Sequence, residues 1–327
     1  MIKEILKNKD VLFITTKNLD YIRNTQEINL IKEHSKSYEI IGSMKKSYIK
    51  RLMHVYWSIL TKPTKKFDVI FVGFSPQLIL PIWNFKFKKN FLVIDFFISM
   101  YDTLVFDRKK FKQNSFIAKL LKWIDTKTVL SADHIICDTK AHGKYFVEEF
   151  GADNKKLDVL YLEADKSIYY QREEKRPENV RDKFIVLYFG SILPLQGIDT
   201  ILKTIDILKN NKDIFFYVIG PIGEKFNKVE CDTVEYIDWL SQEDLARYIN
   251  MSDLCLAGHF NKDINKAKRT IPGKAYTYEA MNKKMILGDN EATHELYEEG
   301  DGTHYFVEMG NAEKLAEKII YIKNSIN

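Results

Sequence analysis

Residues 67–74 read Phe-Asp-Val-Ile-Phe-Val-Gly-Phe, and residues 91–97 read Phe-Leu-Val-Ile-Asp-Phe-Phe. Neither run alternates between apolar and polar positions. A strand with one wet face must alternate, whereas a strand covered on both faces stays apolar throughout. Both segments are therefore expected to be central strands of a parallel sheet, which needs long, usually helical, crossovers. The flanking chain supplies them. Strands are expected at Asp10–Thr15, Tyr38–Ile41, Asp68–Val72, Phe91–Phe96, His134–Cys137 and Leu157–Leu160. Helical periodicity covers Thr25–Lys36, Lys46–Leu60, Phe116–Ser131 and Lys140–Phe150.

Residues 171–182 are charged, carry Pro177 and lack apolar periodicity, the pattern of a linker. Beyond them the alternation restarts. Strands are expected at Phe184–Phe189, Phe215–Ile219, Val234–Tyr236, Leu254–Ala257 and Met285–Leu287, and helices at Gly197–Lys209, Ser241–Asn250, Lys274–Met281 and Ala312–Lys323. The expected fold class is α/β, with two Rossmann-like doubly wound domains facing a cleft. Their bounds are 1–165 and 183–327, with 166–182 as linker and the last helix free to pack back on the first domain. A length of 327 residues suits two domains. Ligands of such sheets bind beyond the carboxyl ends of the strands.

Hydrophobic residues at 45% and charged residues at 29% describe an ordinary globular chain. Residues 1–16 break into polar positions too early for a secretory leader, so none is expected. No run approaches the roughly 18 to 20 apolar residues that span a bilayer. Cys137, Cys231 and Cys255 are far apart, which argues against a zinc site or disulfide framework and for a cytoplasmic setting. The net charge of +5 is uneven: residues 1–165 hold 28 Lys and Arg against 19 acids, and the rest hold 22 against 26. Residues 45–66 carry seven Lys and Arg, no acid, and Tyr48, Tyr56 and Trp57 among them. As a helix this stretch either packs its aliphatic side on the sheet or lies on an anionic membrane surface. The absence of acids favours an anionic partner. Nucleic acid is not expected, because no recognition motif accompanies the charge.

Three segments could carry chemistry. Gly190–Gly197 joins a strand to a helix, where glycine lets backbone approach a phosphate and the helix start offers free N–H groups. Gly220 closes a later strand in the same way. Residues 266–281 hold Lys266, Arg269, Pro272-Gly273, Lys274 and Glu279. Proline suits a first helical turn. Arg269 and Lys274 then flank the positive end of that helix, a cradle for a diphosphate, and Glu279 further along could accept ribose hydroxyls.

Gly190 to Gly197, then Ile219-Gly220, Ser252-Asp253, the segment from Pro272 through Glu279-Ala280-Met281, and Gly288-Asp289 with Glu295-Leu296 resemble the donor domain of family 4 glycosyltransferases, which have the GT-B fold. Asp95 to Arg108 and Asp138 to His142 resemble elements of a bacterial surface-polysaccharide subgroup. The resemblance implies a nucleotide-diphosphate sugar as donor, with Lys274 on its phosphates and Glu279 on its ribose. It implies a saccharide or lipid-linked acceptor and a place on the inner face of the plasma membrane. The pattern departs at Ser191 and Gln196, where the family has arginine and lysine, and at Ile271, where it has glutamate. Neutralisation of the diphosphate then falls to Arg269 and Lys274 with Lys266 or Lys268.

Proton acceptance from the acceptor needs a carboxylate or histidine. Asp102 and Asp95 are the first candidates, and His142 follows. His259, after a donor-domain strand, could touch sugar or phosphate. No paired aspartates suggest a metal, so neither metal nor cofactor is expected. Two rival readings are a nucleotide-sugar epimerase and a non-catalytic nucleotide-sugar-binding scaffold, the latter suggested by Ser191, Gln196 and Ile271.

Overall fold

The computed structural model describes residues 1–224 and 226–326. The chain divides into two units, Met1–Glu163 and Ala164–Asn327. In the first unit the order is α1 (Ile2–Leu6), β1 (Asp10–Ile14), α2 (Ile22–His34), β2 (Ser37–Ile41), α3 (Tyr48–Thr61), β3 (Val69–Val72), α4 (Leu80–Phe87), β4 (Phe91–Asp95), α5 (Phe116–Ser131), β5 (His134–Cys137), α6 (Lys140–Phe150) and β6 (Leu157–Val159). The second unit has β7 (Phe184–Phe189), α7 (Ile198–Leu208), β8 (Ile214–Ile219), β9 (Val234–Ile237), α8 (Gln242–Met251), β10 (Leu254–Gly258), α9 (Gly273–Ala280), β11 (Met285–Gly288), β12 (His304–Val307) and α10 (Ala312–Ile326).

Both sheets are parallel. The first runs β2-β1-β3-β4-β5-β6 and the second β12-β11-β10-β7-β8-β9. Each order reverses once, between β1 and β3 in the first sheet and between β7 and β10 in the second. Crossovers leave opposite faces at such a point, which opens a crevice at the strands' carboxyl ends.

Alternate residues of each strand take opposite faces. In the first unit Val11, Phe13, Val69 and Phe71 bury against α1 and α2. Their neighbours Leu12, Ile14, Ile70 and Val72 bury against α3, α4, α5 and α6. This double cover is why residues 67–74 and 91–97 read as near-continuous apolar runs. In the second unit α7 and α10 share one face with Val186, Phe216 and Leu256, and α10 packs on α7 and β12.

The helix ends follow local chemistry. Thr139 caps α6 by accepting from the His142 backbone N–H at 3.0 Å, and Gly151 closes that helix in the left-handed region at φ +71°. Pro272 immediately precedes α9. Three elements went unread in the sequence: α1, a five-residue helix too short for a periodic pattern, α4 and β12. Helix α4 carries Pro81 in its first turn, where proline is tolerated, but its apolar residues surround it without a periodic polar face. Strand β12 is a four-residue edge between Gly302 and Gly310, too short for a pattern.

Candidate active site

The switch point of the second sheet lies between Gly190, just after β7, and His259, just after β10. Gly190 has φ +145°, which L side chains rarely adopt, and a Cβ there would stand 3.4 Å from the Lys274 Cε. Gly220, at φ +143°, is closer packed: a Cβ would meet the Gly190 carbonyl oxygen at 2.1 Å. Backbone is thus bared around the Lys274 side chain. The loop carrying Ser191 and Gly197 is held against the segment after β10. The Phe260 N–H donates to the Gln196 carbonyl at 3.2 Å, and Asn261 Nδ2 donates to the Pro194 carbonyl at 2.9 Å. Leu195, Ile264, Ala267 and Met309 form a small apolar cluster beneath it.

Lys274 stands in the first turn of α9. It is buried, its Nζ donates to Gln196 Oε1, and it lies 4.4 Å from the Tyr188 ring centroid. Burial pulls its ammonium down from the ordinary 10.5 to about 7. His259 is also buried. Burial first, then the positive charges of Lys274 and Lys266, push its imidazole down to about 3. It is neutral at physiological pH, and its Nδ1 has no hydrogen-bond partner. The Tyr188 hydroxyl is likewise buried without a partner, and burial raises its pKa. A buried ammonium, an unpartnered ring nitrogen and hydroxyl, and the open N–H groups of a helix start together make an incomplete polar site. The charge that would complete it is negative. Lys266 and Arg269, half-buried on the turn before α9, add to the positive field.

Glu279 is placed elsewhere. Five residues past Lys274 is about 140° around a helix. Its half-exposed carboxylate lies 2.7 Å from His304 Nε2 on β12, and His304 in turn contacts Asp301 at 2.6 Å. The residues about one turn after Lys274 on the same side are Thr277 and Tyr278, both buried.

In the first unit all three candidate bases are buried. Asp95 ends β4 and takes two bonds from Arg23 of α2, at 3.1 and 3.0 Å, so its carboxylate is a brace. Arg23 also donates to the Leu160 carbonyl and lies 3.8 Å from Glu27. Burial, with Asp95 nearby, raises the Glu27 carboxyl well above its usual range. The Arg23 guanidinium thus lies between two buried carboxyl groups, Asp95 at hydrogen-bond distance and Glu27 further off, and a shared cation is what lets such a cluster sit in an apolar interior. Asp138, after β5, holds His142 Nδ1 at 2.6 Å. Burial alone would raise Asp138, but His142 and Arg23 outweigh it and keep the carboxyl low. His142 packs against Phe146 at 4.3 Å, and its Nε2 has no hydrogen-bond partner. Asp102 belongs to another group. It opens a wide π-helical turn, Asp102–Asp107, and its N–H donates to Ser99 Oγ at 2.9 Å.

Sequence reasoning missed Arg23, Glu27, Asp125 and Tyr188. Asp125 accepts from Ser99 Oγ, the Tyr101 N–H, Gln77 Nε2 and the Met100 N–H at 2.7, 2.8, 3.0 and 3.3 Å. Burial raises its carboxyl to about 6 despite those four bonds. An Arg and Glu four apart on a helix normally mark a solvent face, so nothing local distinguished this pair. Among the described residues no three His, Cys, Asp or Glu side chains gather as metal ligands would, and no helix is long and apolar enough to cross a membrane.

Residues 183–324 match the family model described as Glycosyl transferases group 1, so the second unit carries a domain of that family and the chain is a glycosyltransferase. An uncharacterized 41.2 kDa protein in the cps region of Klebsiella pneumoniae is 26% identical over 255 residues, covering 72% of this chain and 69% of its own. Chitobiosyldiphosphodolichol beta-mannosyltransferase of Kluyveromyces lactis is 26% identical over 249 residues; the match spans 64% of this chain and about half, 53%, of that enzyme. The crystal structure of Anabaena HepE in complex with UDP-glucose superposes with a TM-score of 0.63 at 13% identity, covering 98% of this chain and 91% of that one. The fold is GT-B.

Proposed function

We propose that this glycosyltransferase moves a sugar from a nucleotide-diphosphate donor, bound by the second unit, to a saccharide or lipid-linked acceptor in surface-polysaccharide assembly. The observation that carries the reading is Lys274: a buried, half-discharged ammonium at a helix start, between bared backbone at Gly190 and the unpartnered groups of Tyr188 and His259. The UDP-glucose complex of HepE and the cps-region relative support the donor class and the setting.

In this reading the leaving diphosphate lies over the start of α9. Lys274 exchanges its bond with Gln196 for a phosphate oxygen and regains its proton. The α9 N–H groups, with Lys266 and Arg269 in range, share the developing charge. His259 donates or accepts as the neutral imidazole. Thr277, one turn on, is the side chain placed for the ribose, since Glu279 is engaged with His304. Charge carried by the chain's own cations makes the reaction metal-independent. Of the three candidate bases, Asp95 holds Arg23 and Asp102 sits in the turn beside Ser99. His142 has its Nδ1 oriented by Asp138 and its Nε2 bare, the arrangement that suits proton acceptance.

The test is a thermal-shift series with UDP, GDP, dTDP, ADP and CMP and their sugars, on the natural chain and on Lys274→Met. Stabilisation by one diphosphate family, lost in the variant, supports the site. A folded protein that no nucleotide stabilises refutes it.

A further inference from the structure

The outward sides of α3, α4 and α5 do not look like a solvated surface. Ile49, Met53 and Trp57 lie at helical spacing on α3 and are 69%, 67% and 67% exposed, while Val55 and Ile59 on its opposite side are buried in the core. Phe85 on α4 is 64% exposed, and Phe116 and Trp123 on α5 are 81% and 53% exposed. The three helices share one face of the sheet and adjoin one another. Lys86 of α4 donates to the Ile59, Leu60 and Lys62 carbonyls at the end of α3, at 2.6, 2.7 and 3.3 Å, and α4 packs on α5. Isolated apolar side chains on a surface are ordinary, but a stripe on one helix continued by large exposed apolar side chains on two adjoining helices is not.

The charge along this stretch of chain is mostly of one sign. Between residues 40 and 132 there are 17 Lys and Arg, five Asp and no Glu. Four of those aspartates, Asp95, Asp102, Asp107 and Asp125, are buried. Asp68 is exposed, but its carboxylate accepts the Asp10 backbone N–H at the opposite, amino end of the strands. Arg108, Lys109, Lys110 and Lys112 are all exposed and lead directly into Phe116. Glu39 pairs with Lys62 and Lys66, and Glu149 of α6 pairs with Lys122, which leaves a surplus of cations. Apolar and aromatic side chains set among a surplus of lysines match a bilayer carrying anionic head groups: the rings enter the interface and the lysines meet phosphate. A second copy of the chain fits poorly, because a two-fold contact would bring this positive face against itself.

We propose that the α3–α4–α5 face seats the first unit on an anionic lipid surface. The face includes the basic stretch 45–66 and extends it to α4, to the 108–112 loop and to α5. It stands independently of the donor site in the second unit. If the donor reading also holds, this face brings the enzyme to a lipid-linked acceptor.

The experiment is flotation of the full chain with vesicles of phosphatidylcholine containing a third phosphatidylglycerol, against pure phosphatidylcholine. One variant is Trp57→Ser/Phe116→Ser/Trp123→Ser, and another is Lys50→Gln/Lys88→Gln/Lys112→Gln; all six sites are exposed, so both should melt like the natural chain. The natural chain is expected to float with the anionic vesicles and to be released by salt. The serine variant should lose about tenfold or more in partition, and the glutamine variant about fivefold per lysine at low salt. Nucleotide-induced stabilisation should be the same in all three proteins, which separates this proposal from the donor reading. Absence of flotation, equal binding to neutral vesicles, or flotation unchanged in both folded variants overturns it. So does a dimer in sedimentation velocity that the serine variant dissolves, or tight binding of nucleic acid in place of vesicles.

Discussion

Binding of a nucleoside diphosphate should carry a proton into the site. Lys274 has its ammonium lowered from 10.5 to about 7 by burial alone, so the empty protein holds it half neutral near neutrality. A diphosphate within hydrogen-bond reach favours the charged form and lifts that value again. At pH 8 about nine-tenths of empty sites hold neutral lysine, so binding there should take up about 0.9 proton per nucleotide. Over the same range affinity should fall by about tenfold per pH unit, because each bound nucleotide must first recharge the lysine. The nucleotide's own terminal phosphate titrates near about 6 and is out of the way by then. Titration calorimetry at pH 8 in two buffers of different ionisation enthalpy reads the proton directly. In Lys274→Met the uptake should vanish and affinity at neutral pH should weaken by about ten- to a hundredfold, the worth of a charge-assisted bond. Zero uptake by the natural chain, or unchanged affinity in the methionine variant, would refute the reasoning.

Other outcomes follow from the same geometry. Thr277→Val should weaken nucleotide binding by about fivefold, and Glu279→Gln by less than about twofold, in the same calorimetry; the reverse order would return the ribose to Glu279. Asp95→Ala leaves Arg23 buried without its main anion and should cost about 3–5 kcal/mol in chemical denaturation. Asp125 has its carboxyl raised to about 6, so its contribution, about 3 kcal/mol, is complete below the unfolded value near 4 and is lost as pH rises through 6. Asp125→Asn should flatten that part of the stability profile. Gly220→Ala drives a methyl onto the Gly190 carbonyl and should lower the melting midpoint and abolish nucleotide stabilisation together.

The layering of the chain was legible because burial on both faces of a parallel sheet erases alternation. Residues 67–74 and 91–97 could hardly be anything else, and β3 and β4 lie within them. Pro272 and Gly273 likewise announced a helix whose first turn carries Lys274, since the proline ring and the helix start obey local rules. The glycine turns after β7 and β8 were visible for the same reason. These are signals a chain carries within a few residues.

What the sequence alone determined is therefore the alternation of strands and helices, the second unit's glycine turns and the cationic helix start. What tertiary structure decided is which polar groups meet. Arg23 and Glu27 went unnoticed in the sequence, and Arg23 braces the strand ends because Asp95 and Leu160 arrive from 72 and 137 residues away. Glu279 read as a ligand and was drawn to His304 by a short edge strand with no sequence pattern of its own. The apolar positions of α3 and α5 were compatible with a core and α4 was not read at all; only the packing of all three helices on one sheet face showed which side remained outside. Periodicity reports that a side chain is apolar or charged; the partner across the sheet, contributed by a distant part of the chain, determines whether it is buried, paired or left exposed.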